Sequence, residues 1–174
     1  VSIAILLIWF VAAIFDRQLT GFNFNYRNPT EINILFLFAR TVVMFALWVI
    51  SNIAVSEFVE GEGKFRSVWI AYSYALVPYI FTTVIVIVLS NFMAIEEGIF
   101  LTWINYIGII WSGSLVLSAL RIVHDYQGGK VVLSAAMTLL GIAIIVFLGV
   151  LLVTLFQQLY AFFRTLLSEI LFRL

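Results

Sequence analysis

Cysteine is absent from this 174-residue chain, and histidine occurs once. The first absence removes disulfides, thiolate metal sites and cysteine nucleophiles together. It says nothing of compartment, because a core built in a membrane needs no covalent staple. Charge is also scarce: Asp, Glu, Lys and Arg make up 10% of the residues, where soluble domains carry about 25%. Nine basic side chains balance nine acidic ones, so there is no basic field for nucleic acid and no acidic solvating tail. Proline occurs twice, at Pro29 and Pro78.

Long apolar stretches fill the space that charge leaves. Residues 34–56 carry one charge, Arg40, while 68–90, 99–120 and 131–163 carry none. A helix rises about 1.5 Å per residue, so roughly 20 apolar residues cross a hydrocarbon core about 30 Å thick. Each stretch is therefore long enough to span. Residues 1–15 are apolar apart from Ser2. They read as the distal part of a further spanning helix entered partway, because Asp16-Arg17-Gln18 is not the small-residue cleavage site of a signal peptide. The expected fold is all-α: five transmembrane helices at about 1–15, 33–56, 67–90, 99–122 and 131–156. Val, Ile and Phe favour strands in water, but in lipid every backbone N–H and C=O must be satisfied within the segment. Residues 84–89 (VIVIVL) are apolar on both faces, which excludes an alternating barrel strand.

The connections are short and polar, so consecutive helices return beside one another as an up–down bundle. Asn28 or Thr30, flanking Pro29, is expected to cap the second helix. No internal repeat points to an inverted-repeat transporter. Lys64, Arg66, Arg121 and Lys130 flank the second and fourth connections, against Arg17 and Arg27 in the first and third, although Arg40, Arg164 and Arg173 count on that other side too. That bias expects the amino terminus inside and the carboxyl terminus outside. The domain limits are a five-span unit over 1–156 and a tail over 157–174. In the tail, Leu159, Phe162, Phe163, Leu166 and Leu167 recur at helical spacing. This reads as an amphipathic helix at the membrane interface or as an extension of the fifth helix packed on a neighbour.

Six residues stand out as candidate functional or structural polar sites. Arg40 lies inside a span, where charge is expensive; packing against Asp16 or Glu31 is the bland expectation, and a substrate contact the sharper one. Pro78 removes a backbone donor and is expected to kink the third helix among Tyr72, Tyr74 and Tyr79. Asn52 and Asn105 can hydrogen-bond between helices, and small residues (Gly108/Ser112, Ser114/Ser118, Gly141/Gly149) permit close approach. His124-Asp125 is where a histidine adjoins a carboxylate. Metal binding there would need Glu57, Glu60 or Glu62 as well, and a triad would need a positioned serine; an interfacial polar cap is the simpler expectation. Gly61-Glu62-Gly63-Lys64 and Gly128-Gly129-Lys130 lack the spacing and the following Ser/Thr of a phosphate loop. The residues imply no catalytic set, metal or cofactor.

An ordered series of segments resembles the bacterial branch of the Yip1-domain family. It comprises Leu19-Thr-Gly-Phe-Asn-Phe-Asn with Arg27-Asn-Pro29, Glu60-Gly-Glu-Gly-Lys-Phe65 leading to Tyr72-Ser-Tyr-Ala-Leu-Val-Pro78-Tyr79, and Glu96-Glu97-Gly98. Ile110-Trp111-Ser112-Gly113, Val123-His124-Asp-Tyr126 through Lys130, and Phe147-Leu-Gly-Val-Leu before Gln157-Gln158 complete it. The resemblance implies a five-span helical domain with a cytoplasmic amino terminus and a non-enzymatic role in the bacterial cytoplasmic membrane. Eukaryotic relatives work with Rab-type GTPases in vesicle traffic, a partner that does not carry over. Some bacterial relatives are accessory subunits of ABC-type export systems. The expected function is thus a membrane scaffold or transport accessory, with the bilayer, other membrane proteins such as ABC transporter subunits, or a second copy as partners. The alternative is a transporter or channel for a small solute or lipid, using the polar residues inside the bundle.

Overall fold

The computed structural model describes residues 1–25 and 32–173. Among the described residues, five helices are long and apolar enough to cross a membrane. They are α1 (Ser2–Leu19), α2 (Ile34–Val59), α3 (Phe65–Ser90), α4 (Ile95–His124, opening with a 3₁₀ turn at Ile95–Glu97) and α5 (Gly128–Arg173). α1 runs on to Leu19, past the expected end at residue 15, because Asp16-Arg17-Gln18 continue the helix.

α3 is the central element: half of its most apolar window (50%) is buried, against none of that of α5. α4 packs along both parts of α3, α1 covers the other side, and α2 joins the bundle mainly through α5. The main core draws Leu6 from α1, Phe45 and Val49 from α2, Val68 and Tyr72 from α3, Leu120 from α4 and Val131 from α5. A smaller cluster of Ile5, Ala12 and Ile80 joins α1 to the second part of α3.

α3 breaks where expected. One helical segment ends at Ala75 and the next starts at Val77 with Pro78 in its first turn. The break leaves a backbone donor without a partner in its own helix, and the Ser112 hydroxyl of α4 accepts it from Tyr79 N–H at 3.0 Å. One turn further on, Gly108 faces Thr82, and a side chain at Gly108 would collide with the Thr82 hydroxyl. Gly141 stands in the same relation to Ser51. Gly149 does not: nothing lies within 4 Å of where its side chain would be, so the expected Gly141/Gly149 pair is a packing surface only at Gly141. Ser114 and Ser118 are exposed and bond to carbonyls of their own helix, so that pair is not a contact either.

α2 carries a π-helical turn over Ala39–Val43, with Arg40 on it. Its cap is Asn33, whose Oδ1 accepts from Phe36 N–H at 2.9 Å. Asn28 and Thr30, the expected caps, lie outside the described residues, as do Glu31 and the Arg27-Asn28-Pro29 segment. Helices α2 and α4 both end in left-handed residues, Glu60 at φ 59° and Asp125 at φ 53°. α5 runs without interruption through Gln157, where the tail was expected to change character.

Gly108→Val and Gly141→Val are each expected to destabilise the bundle by about 1–3 kcal/mol through overpacking. Gly149→Val, facing open space, is expected to change stability by less than about 0.5 kcal/mol. Thermal unfolding of the three variants in one detergent measures the difference.

Candidate functional site

Two polar regions occupy opposite halves of the bundle. The first is a dry knot near the end bearing the 60–64 and 125–127 connections. Asn52 of α2 lies at its centre with no exposed surface. Its Oδ1 accepts from the Tyr72 hydroxyl of α3 at 3.0 Å and sits 2.9 Å from His124 Nε2 of α4. Its Nδ2 donates to Thr138 Oγ1 of α5 at 3.1 Å. Thr138 in turn donates to the Ser134 carbonyl, and its own carbonyl accepts from Ser51 Oγ at 2.7 Å. One amide therefore ties α2, α3, α4 and α5.

The histidine's tautomer follows from its partners. Gly63 N–H donates to His124 Nδ1 at 3.3 Å, so Nδ1 carries the lone pair and Nε2–H donates to Asn52. Both ring nitrogens are engaged, which leaves no lone pair for a metal ion or for a serine proton. The Tyr126 ring stacks on His124 with centroids 5.1 Å apart. Burial pushes the Tyr126 hydroxyl above the usual phenol range, so it stays protonated. A side-chain carbon on Gly61 would strike Tyr126 and one on Gly63 would strike His124. Those glycines serve close approach of the connection to the two rings. Asp125 is exposed and closes α4 as its left-handed C-cap, away from the role of a histidine partner.

The second region is a polar cavity in the other half, among α1, the π-turn of α2, the part of α3 after Pro78, and the start of α4. Two adjoining hollows of about 580 and 460 Å³ share Asp16, Thr102 and Asn105 as lining. Thr20, Asn25 and Ser90 complete the polar wall of the first. Arg17, Arg40, Tyr79 and Thr83 line the second, with Trp9, Leu37 and Ile109 as its apolar wall. Gly21 N–H donates to Ser90 Oγ and Asn91 Nδ2 donates to the Leu19 carbonyl, both at 2.8 Å, which fixes α1 to α3 at this end.

The structure thus separates the six candidates. Asn52 and His124 meet in the knot; Arg40 and Asn105 line the cavity; Pro78 lies between the two; Asp125 is a surface cap. The expected packing of Arg40 on Asp16 is not an ion pair: among the described residues, no carboxylate lies within 4.0 Å of Arg40. Asn105 bonds to no other helix among the described residues. Tyr72, Thr138 and Ser51 were not expected in a site. Tyr72 was noted only beside Pro78, and a threonine or serine in an apolar stretch carries no sequence signal of its own. Asp16 belonged to a connection in the sequence reading and becomes a cavity residue because α1 extends past it.

Five helices long and apolar enough to cross a membrane define a polytopic α-helical membrane protein. The chain belongs to the Yip1 domain family, whose model matches residues 1–164. No curated protein and no solved structure matches it significantly.

Asn52→Ala strands His124 Nε2–H, the Tyr72 hydroxyl and Thr138 in an apolar core, an expected loss of about 2–4 kcal/mol. Asn105→Ala removes no bond and is expected to leave stability within about 0.5 kcal/mol. Equilibrium unfolding in mixed micelles compares them, and an equal loss for both variants contradicts the assignment.

Proposed function

We propose that the protein is a non-enzymatic scaffold or accessory subunit that holds another integral membrane protein, with the distal part of α5 as its docking arm. The observation that carries this reading is the arm itself. α5 has 46 residues, which at 1.5 Å per residue is about 69 Å, well beyond a bilayer of about 40–45 Å including headgroups. Its packing on the bundle ends near Ile145, and the described side chains beyond that point are exposed around the whole helix. Lipid can cover the stretch up to Phe156. Beyond it, Leu159, Phe162, Phe163, Leu166 and Leu167 are exposed, and an apolar helical face of that length needs a covering surface. An interfacial helix would need the chain to turn where it leaves the membrane; α5 continues without interruption, which favours a protein partner. With the amino terminus inside, as the Lys/Arg bias favours, the arm projects on the outer side.

The transporter reading rests on the cavity. A path across the membrane would have to pass the opposite half, where Asn52, His124 and Tyr72 are at most 3% exposed. That dry core weighs against a through-passage and favours the scaffold reading.

A photo-crosslinking residue placed at Leu159 or Phe163 in native membranes is expected to capture one recurring partner, and one at the buried Val49 none. Among the described residues, truncation after Phe156 removes none that is packed on the bundle, so the shortened protein is expected to fold with an unchanged Tm and to lose the partner. Recovery of the full chain alone, uncrosslinked at both arm positions, overturns the proposal.

A further inference from the structure

The cavity has a charge pattern that packing does not explain. Arg40 stands about 9 Å inside α2 counted from Ile34, and among the described residues no carboxylate pairs with it. A guanidinium in a membrane span is expensive, and such residues face a partner or a cavity or reach back to the interface; Arg40 is exposed and lines the hollow. Its helix is distorted locally into a π-turn over Ala39–Val43, a feature that recurs at functional sites. Among the other lining residues, the half-buried Asn105 amide makes no hydrogen bond among the described residues, and the Asp16 carboxylate has only a long 3.4 Å contact from Thr20 Oγ1. Among the described residues the cavity therefore presents a cation, Arg40, without an ion-pair partner, an anion, Asp16, without one, and an unused amide, beside an apolar wall of Trp9, Leu37 and Ile109; Arg17, which lines the same hollow, already has a partner.

We propose that this cavity binds the zwitterionic headgroup of a phospholipid, with the phosphate on Arg40 and Asn105 and the ammonium on Asp16. The planar guanidinium suits a phosphate diester, and the amide can donate to the same oxygens. A purely anionic headgroup would leave Asp16 repelling it, and a purely cationic ligand would leave Arg40 unpaired. A headgroup carrying both charges satisfies both walls. Hollows of about 580 and 460 Å³ are of the size that small-molecule sites use. The apolar wall gives the start of the acyl chains a surface, which points to a membrane lipid over a free zwitterion of the same headgroup chemistry.

The full chain, purified and delipidated in detergent, is titrated with phosphatidylethanolamine and with phosphatidylglycerol, reading bound lipid by native mass spectrometry and Tm. Phosphatidylethanolamine is expected to bind and raise Tm, with weaker phosphatidylglycerol binding. Arg40→Gln and Asp16→Asn are each expected to weaken phosphatidylethanolamine binding about tenfold, the worth of one charge-assisted hydrogen bond. Asp16→Asn should narrow the difference between the two lipids. Asn105→Ala, which breaks no internal bond, gives a second probe if a charge variant folds poorly, and is expected to weaken binding too. Equal binding by wild type and all three variants, or preference for phosphatidylglycerol, overturns the proposal. Saturation of the wild type by soluble glycerophosphoethanolamine with no gain from the intact lipid overturns the membrane source.

Discussion

Inside hydrocarbon a polar group has no water to return to, and the whole arrangement of α2, α3, α4 and α5 depends on how Asn52 meets that condition. One carboxamide is the meeting point for donors from a tyrosine and a histidine and gives its own hydrogen to a threonine. Each partner stands on a different helix. Apolar packing alone tolerates sliding of one helix along another, because lipid is as apolar as leucine and offers little penalty. A hydrogen-bonded junction of this kind has one register. It also extends past the helices: through His124, the same knot holds the backbone of Gly63, and so fixes the connection between α2 and α3.

The two halves of the bundle resolve polarity in different ways. Near the Glu60 end, polar side chains meet one another and exclude solvent. Near the Asp16 end they line a hollow. Pro78 marks the boundary. By breaking α3 it frees Tyr79 N–H for Ser112, and the second part of the helix then leans on α4 through Thr82 and Gly108. The exposed Lys130–Glu60 pair at 3.2 Å adds little to this frame, since both side chains are hydrated.

Much of the fold was legible because the bilayer imposes a length and a composition that any sequence must display. All five helices and the break at Pro78 follow from that constraint and from the chemistry of proline. Helix ends were less so. Asp16-Arg17-Gln18 look like a connection yet continue α1, since an amphiphilic turn at a membrane surface is free to stay helical. Within the site, Asn52 and His124 were each visible as polar residues in apolar surroundings, but their meeting was not: they lie 72 positions apart, and only the packing of both helices on α3 and α5 brings them together. Gly61 and Gly63 read as a failed phosphate loop, and their meaning appears only with the His124 and Tyr126 rings against them. Arg40 shows the opposite case. Its cost was legible, but its surroundings depend on a π-turn that no local residue pattern announces.

The knot grips α5 at Ser134 and Thr138, close to its start, and beyond Ile145 the bundle no longer covers that helix. From Ile145 to Arg173 the free length is about 42 Å at 1.5 Å per residue. Mechanically this is a rod held at one end. A tilt of about 5° near Ile145 would carry the tip roughly 3–4 Å over that length, so a force at the far end arrives at the Asn52 junction as torque with a long moment arm. Because that junction also holds His124 and the Gly63 backbone, the torque would be felt on the opposite face of the membrane.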